Sequence, residues 1–158
     1  MISPTSGMIG RSLRLARIDF SPNHTQPAPL NVTLATIVSI VASLLCDAVL
    51  VAIGTAVFPS TKGYPHFNFS DYGKLTIIGV IIACVAWPIA TRITSAPRWL
   101  FARLAVLVTL VLLLPDLAIL VNGQSPRAVA ILVLMHLAIA LVTYHSLVRL
   151  APTRPGHR

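Results

Sequence analysis

Apolar residues fall in four long runs, at about 31–58, 74–91, 100–121 and 128–148, separated by short polar or proline-rich segments. A helix needs ~20 apolar residues to cross a hydrocarbon core ~30 Å thick. The first run is long enough to tilt, the second is on the short side, and all four are sufficient. Lipid offers no partner to an open strand edge, so runs of this kind predict helices. The expected fold is therefore all-α: a four-transmembrane-helix bundle over residues 31–150. A basic leader (1–30), mostly irregular, precedes it and a short tail (151–158) follows.

Composition sharpens this reading. Only 10% of the 158 residues are charged, 56% are hydrophobic, and the mean hydropathy is +0.83. Soluble domains carry about 25% charged residues, so a freely soluble protein is excluded. Twelve basic side chains against four acidic ones give a net charge of +8. The cations sit in short segments between apolar runs rather than on one polar surface. That pattern fits a membrane protein and argues against nucleic acid. The expected partners are the lipid bilayer and either another membrane protein or a second copy of the chain. Arg is strongly preferred to Lys, and Ala, Val and Leu abound, which hints at a GC-rich bacterial genome.

Positive charge predicts the threading, because cytoplasmic loops carry the excess of Lys and Arg. One side would hold Arg11, Arg14, Arg17, Arg92, Arg98, Arg103, Arg149, Arg154 and Arg158; the other only Lys62, Lys74 and Arg127. Both termini are then expected in the cytoplasm, in the plasma membrane of a bacterium. The leader has no apolar core and is not a signal peptide. Within it, Arg11, Arg14 and Arg17 would line one side of a short amphipathic helix and Ile9, Leu13, Ala16 and Phe20 much of the other. The alternative is a frayed tail whose arginines only fix topology. In the outer loop, Tyr64, Phe67, Phe69 and Tyr72 read as interfacial anchors, or else as a ligand lid or partner contact. Trp87 and Trp99 read as the matching inner anchors.

Chemistry-bearing residues are few. Cys46 and Cys84 lie inside apolar runs, with no Cys-x-x-Cys and no Cys/His spacing of a metal site; neither a disulfide framework, a metal nor a cofactor is expected. The costly residues are polar ones at membrane depth. A charge near the bilayer centre costs roughly 2.5–3.5 kcal/mol even on mild scales, yet Asp47, Asp116 and His136 all fall in the outer half of the bundle. If turned inward they can share one layer. Such a cluster reads as a structural clamp joining helices 1, 3 and 4, or as a titratable relay or cation site. His145, half a turn out of phase with His136, faces elsewhere. Ala35, Ser39, Ser43 and Asp47 draw a small, polar stripe on helix 1, and Gly79-x-x-x-Ala83 on helix 2 offers a close 1–2 contact. Pro88 and Pro115 each remove an intrahelical hydrogen bond and predict kinks.

The segments Leu114-Pro115-Asp116-Leu117, Leu134-Met135-His136-Leu137 and Ala96-Pro97-Arg98-Trp99 resemble an uncharacterised family of small actinobacterial four-helix membrane proteins. That resemblance covers roughly 74–150, leaving out the leader, the outer loop and Asp47. It implies fold and location rather than activity. No nucleophile–base pair, metal cage or phosphate loop stands out in the sequence. The expected function is a non-enzymatic integral membrane protein, an accessory or scaffolding component of the bacterial cell envelope. The alternative is a small proton- or cation-coupled transporter acting through Asp47, Asp116 and His136.

Overall fold

A computed structural model describes residues 17, 18, 20 and 22–155. Its frame is four helices: α1 (Pro29–Val57), α2 (Phe69–Ile93), α3 (Pro97–Val121) and α4 (Pro126–Leu150). At ~1.5 Å rise per residue, even the 25-residue helices are longer than a hydrocarbon core. All four are apolar enough to cross a membrane, which makes this a multi-pass membrane protein. Each helix extends beyond its apolar run, and α2 begins five residues before Lys74. Its first turn is the polar Phe69-Ser-Asp-Tyr72, where Asp71 suits the positive end of the helix dipole.

Prolines start three of the helices. Pro29, Pro97 and Pro126 occupy the first turn, where the missing N–H would have no intrahelical partner. α3 ends at a glycine with φ of +83°, Gly123. The Gly123 N–H donates to Leu120 O (3.1 Å) and the Gln124 N–H to Ile119 O (3.3 Å), satisfying the last carbonyls and reversing the chain into α4. α2 and α3 run unbroken through Pro88 and Pro115.

α1 packs chiefly against α4 and next against α2, while α3 leans on α4 and, less, on α2. The stripe Ala35, Ser39, Ser43 and Asp47 is fully buried, as expected of small residues drawn into a helix contact. Its cover comes from both neighbours: Thr76 of α2 donates to Asp47, and Ala35 shares a core cluster with Val80, Cys84 and Trp87 of α2 and Leu147 of α4. Gly79 is exposed, and a methyl group added there would meet nothing within 4 Å, so the expected contact through Gly79 does not form. The close approach lies at Gly54 instead, where an added Cβ would strike the Ile131 side chain, with Cγ1 at 2.8 Å. Glycine is what lets α1 and α4 meet there.

The end of the bundle that carries both termini is tied together by the chain's own flanks. The last carbonyls of any helix lack intrahelical donors. At the end of α2, Thr91 O accepts from His24 Nε2 (2.8 Å) and Gln26 Nε2 (3.0 Å), and Ile93 O accepts from the Phe20 N–H (3.2 Å). Thr94 Oγ1 donates to Arg17 O. A two-residue antiparallel pair joins β1 (His24–Thr25) to β2 (Arg154–Pro155). The described part of the leader, irregular apart from β1, thus docks on the bundle by capping orphaned carbonyls. The amphipathic helix expected over residues 8–20 lies mostly outside the described residues. Its described end, Arg17, Ile18 and Phe20, is not helical: Arg17 and Phe20 both have φ of +52°, and Ile18 bridges Thr94.

Trp87 is not an interfacial anchor. It is completely buried at this end, its Nε1–H donates to Ala151 O (2.9 Å), and its ring meets Phe101 edge-on. An indole enters a core readily when its N–H finds a partner. Trp99 stays half-buried, flanked by the guanidinium groups of Arg103 (4.0 Å from the ring centroid) and Arg17 (5.1 Å).

Candidate functional site

The polar residues at membrane depth gather in the half of the bundle nearer the α1–α2 loop. α1 carries Asp47 into full burial on the same face as Ser43, one turn away. Its Oδ2 accepts a hydrogen bond from Thr76 Oγ1 of α2 at 2.7 Å, while Oδ1 is buried and has no hydrogen-bond partner among the described residues. α3 buries Asp116 directly after Pro115, and α4 sets His136 beside it, with Nδ1 at 3.1 Å from Asp116 Oδ2. That nitrogen also lies 3.0 Å from Leu132 O. A carbonyl oxygen only accepts, so Nδ1 carries the proton in this contact. The N–H is directed to Leu132 O, and Asp116 Oδ2 lies within ion-pair distance of the same nitrogen without forming a hydrogen bond of good geometry.

The structure therefore joins Asp116 to His136 and gives Asp47 a different partner, Thr76. The three residues still lie within electrostatic reach of one another through His136, but their direct contacts form two couples, one on the α1/α2 contact and one on α3/α4. Thr76 could have been found from its spacing. Tyr72, Thr76, Val80 and Cys84 recur every fourth residue and are all buried, so they form the inward stripe of α2.

The α1–α2 loop closes this end. Two single 3₁₀ turns, Pro59–Thr61 and Pro65–Phe67, fold it back over the helices, and Thr61 Oγ1 donates to Phe58 O at 2.8 Å. Gly63, at φ +80°, permits the bend between the turns. Phe58, Tyr64 and Phe67 pack on Tyr72, Ile131, Leu132 and Met135. Of the loop aromatics, Phe69 alone is largely bare, at 62% exposure. The loop is less a row of anchors than a plug of aromatic rings. Tyr64 faces Phe67 and His66 edge-on, and its hydroxyl is buried without a hydrogen-bond partner. Burial pushes the Tyr64 phenol above its usual range, and the Asp116 carboxylate adds to the shift. The plug thus sits within electrostatic reach of the Asp116–His136 couple.

His145 is exposed, with Nδ1 on Leu141 O at 2.8 Å, and takes no part in the site. Cys46 and Cys84 are free thiols, the first half-buried and the second buried. Among the described residues no group of three or more His, Cys, Asp or Glu side chains is placed to hold a metal ion.

Residues 23–153 match the model of a family of unknown function, DUF6069. The chain belongs to the DUF6069 family. The match reaches well beyond residues 74–150, the part in which a resemblance was legible. It takes in α1, Asp47 and the aromatic loop, so both polar couples of this DUF6069 protein lie inside the shared region. No curated protein and no solved structure matches the chain.

Proposed function

We propose that this DUF6069 protein is a non-enzymatic component of the bacterial plasma membrane, threaded with both termini in the cytoplasm. It serves as an accessory or scaffolding subunit of a larger membrane assembly. The observation that carries this reading is α3. Only 11% of its apolar window is buried within the chain, against 33% in α2 and in α4. Val106, Leu107, Leu110, Val111, Leu114 and Leu117 are all exposed. Helices in lipid associate through close packing and polar contacts, and α3 uses little of its surface for either. It is the helix on which a neighbouring membrane protein would find most room. The orientation rests on the sequence count of nine cations in the leader, around the α2–α3 connection and in the tail, against three in the other connections and their flanks.

A second reading, a small proton- or cation-coupled transporter, draws support from Asp47 and Asp116. Buried carboxylates at membrane depth are costly and commonly mark ion paths. Affinity purification of the full chain in mild detergent separates the two. Reproducible recovery of one stoichiometric membrane partner supports the subunit, whereas a lone chain or homodimer counts against it and moves weight to the transporter. Reporter fusions after Asn68 and Asn122 should read outside, and those after Pro97 and Arg158 cytoplasmic. An outside signal at either of the latter pair overturns the threading.

A further inference from the structure

The α1/α4 contact contains a set of oxygen atoms that the fold itself leaves unused. A serine or threonine inside a helix ordinarily satisfies its hydroxyl by donating to the carbonyl one turn back. Thr36, Ser39, Thr55 and Thr109 do so, at 2.7–2.8 Å. Ser43 and Thr143 do not. Both are buried, at 0% and 4% exposure, and neither hydroxyl has a hydrogen-bond partner among the described residues. They are also level with one another. The Gly54–Ile131 approach fixes the antiparallel register of α1 and α4. Counting equally far from Gly54 toward the N-terminus and from Ile131 toward the C-terminus brings Thr143 opposite Ala42 and Ser43.

One turn from Ser43 on the same face lies Asp47 Oδ1, the third buried and unpartnered oxygen. Asp47 is completely buried; His136 acts on it only through space, and no cationic side chain forms an ion pair with it among the described residues. A buried carboxylate left uncompensated is expensive. Buried polar atoms without protein partners call for an ion or water. We propose that Asp47, Ser43 and Thr143 form an internal site for a dehydrated monovalent cation such as sodium, held between α1 and α4. Hard oxygen donors suit hard cations. One carboxylate with two neutral hydroxyls balances a single positive charge, whereas a divalent ion would leave one charge unmatched in the interior. Thr76 occupies Oδ2 and leaves Oδ1 without a protein partner among the described residues. The site does not depend on either functional reading above, because the ion would lock α1 to α4 in a subunit as well as in a carrier.

The test is thermal unfolding of the purified full chain in detergent at fixed pH, titrated with sodium chloride or with choline chloride at equal ionic strength. Sodium should raise the midpoint saturably beyond choline. Asp47→Asn, which keeps the shape but not the charge, should abolish that difference. Ser43→Ala and Thr143→Val should each raise the half-saturating concentration roughly tenfold, a loss of about 1.4 kcal/mol of binding. Asp116→Asn should leave it unchanged. Coincident sodium and choline curves would mean that the oxygens hold only ordered water, and the proposal fails. It fails equally if the sodium response follows Asp116 rather than Asp47. Should Asp47→Asn not fold, the two hydroxyl variants carry the same decision: an unchanged half-saturation in both overturns the site.

Discussion

Gly54 offers the sharpest test of how the bundle is assembled, since the register of α1 on α4 depends on it. Replacing Gly54 with alanine adds one methyl group whose nearest neighbours are Ile131 Cδ1, Cγ1 at 2.8 Å and Cγ2 at 3.5 Å. Cδ1 can swing aside, but Cγ1 moves only if χ1 of a β-branched residue changes, and that torsion is stiff in a helix. Overpacking of this kind typically costs about 1–3 kcal/mol. Any gain from replacing glycine inside a helix is isolated by a control, Gly79→Ala, whose new methyl meets nothing within 4 Å. The quantity to measure is therefore the stability difference between the two alanine variants, by reversible denaturation in mixed micelles. Gly54→Ala should be the less stable by about 1–3 kcal/mol. In an Ile131→Ala background, which removes both clashing carbons, that gap should close. If the two variants agree within about 0.5 kcal/mol, the additivity error for independent sites, α1 and α4 do not meet at Gly54 and Ile131. The levelling of Ser43 with Thr143 would fall with them.

For the Asp116–His136 couple, a double-mutant cycle of Asp116→Asn and His136→Ala should give a coupling of about 0.6 kcal/mol, the average for polar pairs in membrane bundles; below about 0.3 kcal/mol the 3.1 Å approach makes no energetic contact. Tyr64 makes an alkaline prediction. Its folded pKa is raised above the unfolded value of 10.0, so its contribution is fully present below that value and is lost as pH rises through the folded pKa. Followed by phenolate absorbance, Tyr64 should ionise above the ordinary tyrosine range, and Tyr64→Phe should remove one late-ionising equivalent. A profile unchanged by Tyr64→Phe would mean that the loop does not close over Asp116.

What the sequence determined is what one-dimensional chemistry can set. Run length and the demand that lipid-exposed backbone be satisfied internally gave four helices. The scarcity of ionisable residues singled out Asp47, Asp116 and His136, because each is costly wherever its helix points. Spacing also marked the Ala35–Asp47 stripe as buried. None of this says which helix lies against which. Small residues permit close approach without naming a partner, so the expectation fell on Gly79, whereas the close approach is at Gly54, across from Ile131. A carboxylate likewise needs a donor without specifying one. Asp47 could have turned to His136, but α2 brought Thr76 within 2.7 Å and α3 placed Asp116 against the imidazole instead. Trp87 shows the same limit, since an indole suits a membrane interface and a core equally well until a carbonyl such as Ala151 O is supplied. The segment before α1 is the extreme case: nothing local to His24 and Gln26 names a partner, and the unsatisfied carbonyl of Thr91 at the end of α2 supplies one. Local pattern decides which groups need partners, and only the packing of four helices decides which partners they meet.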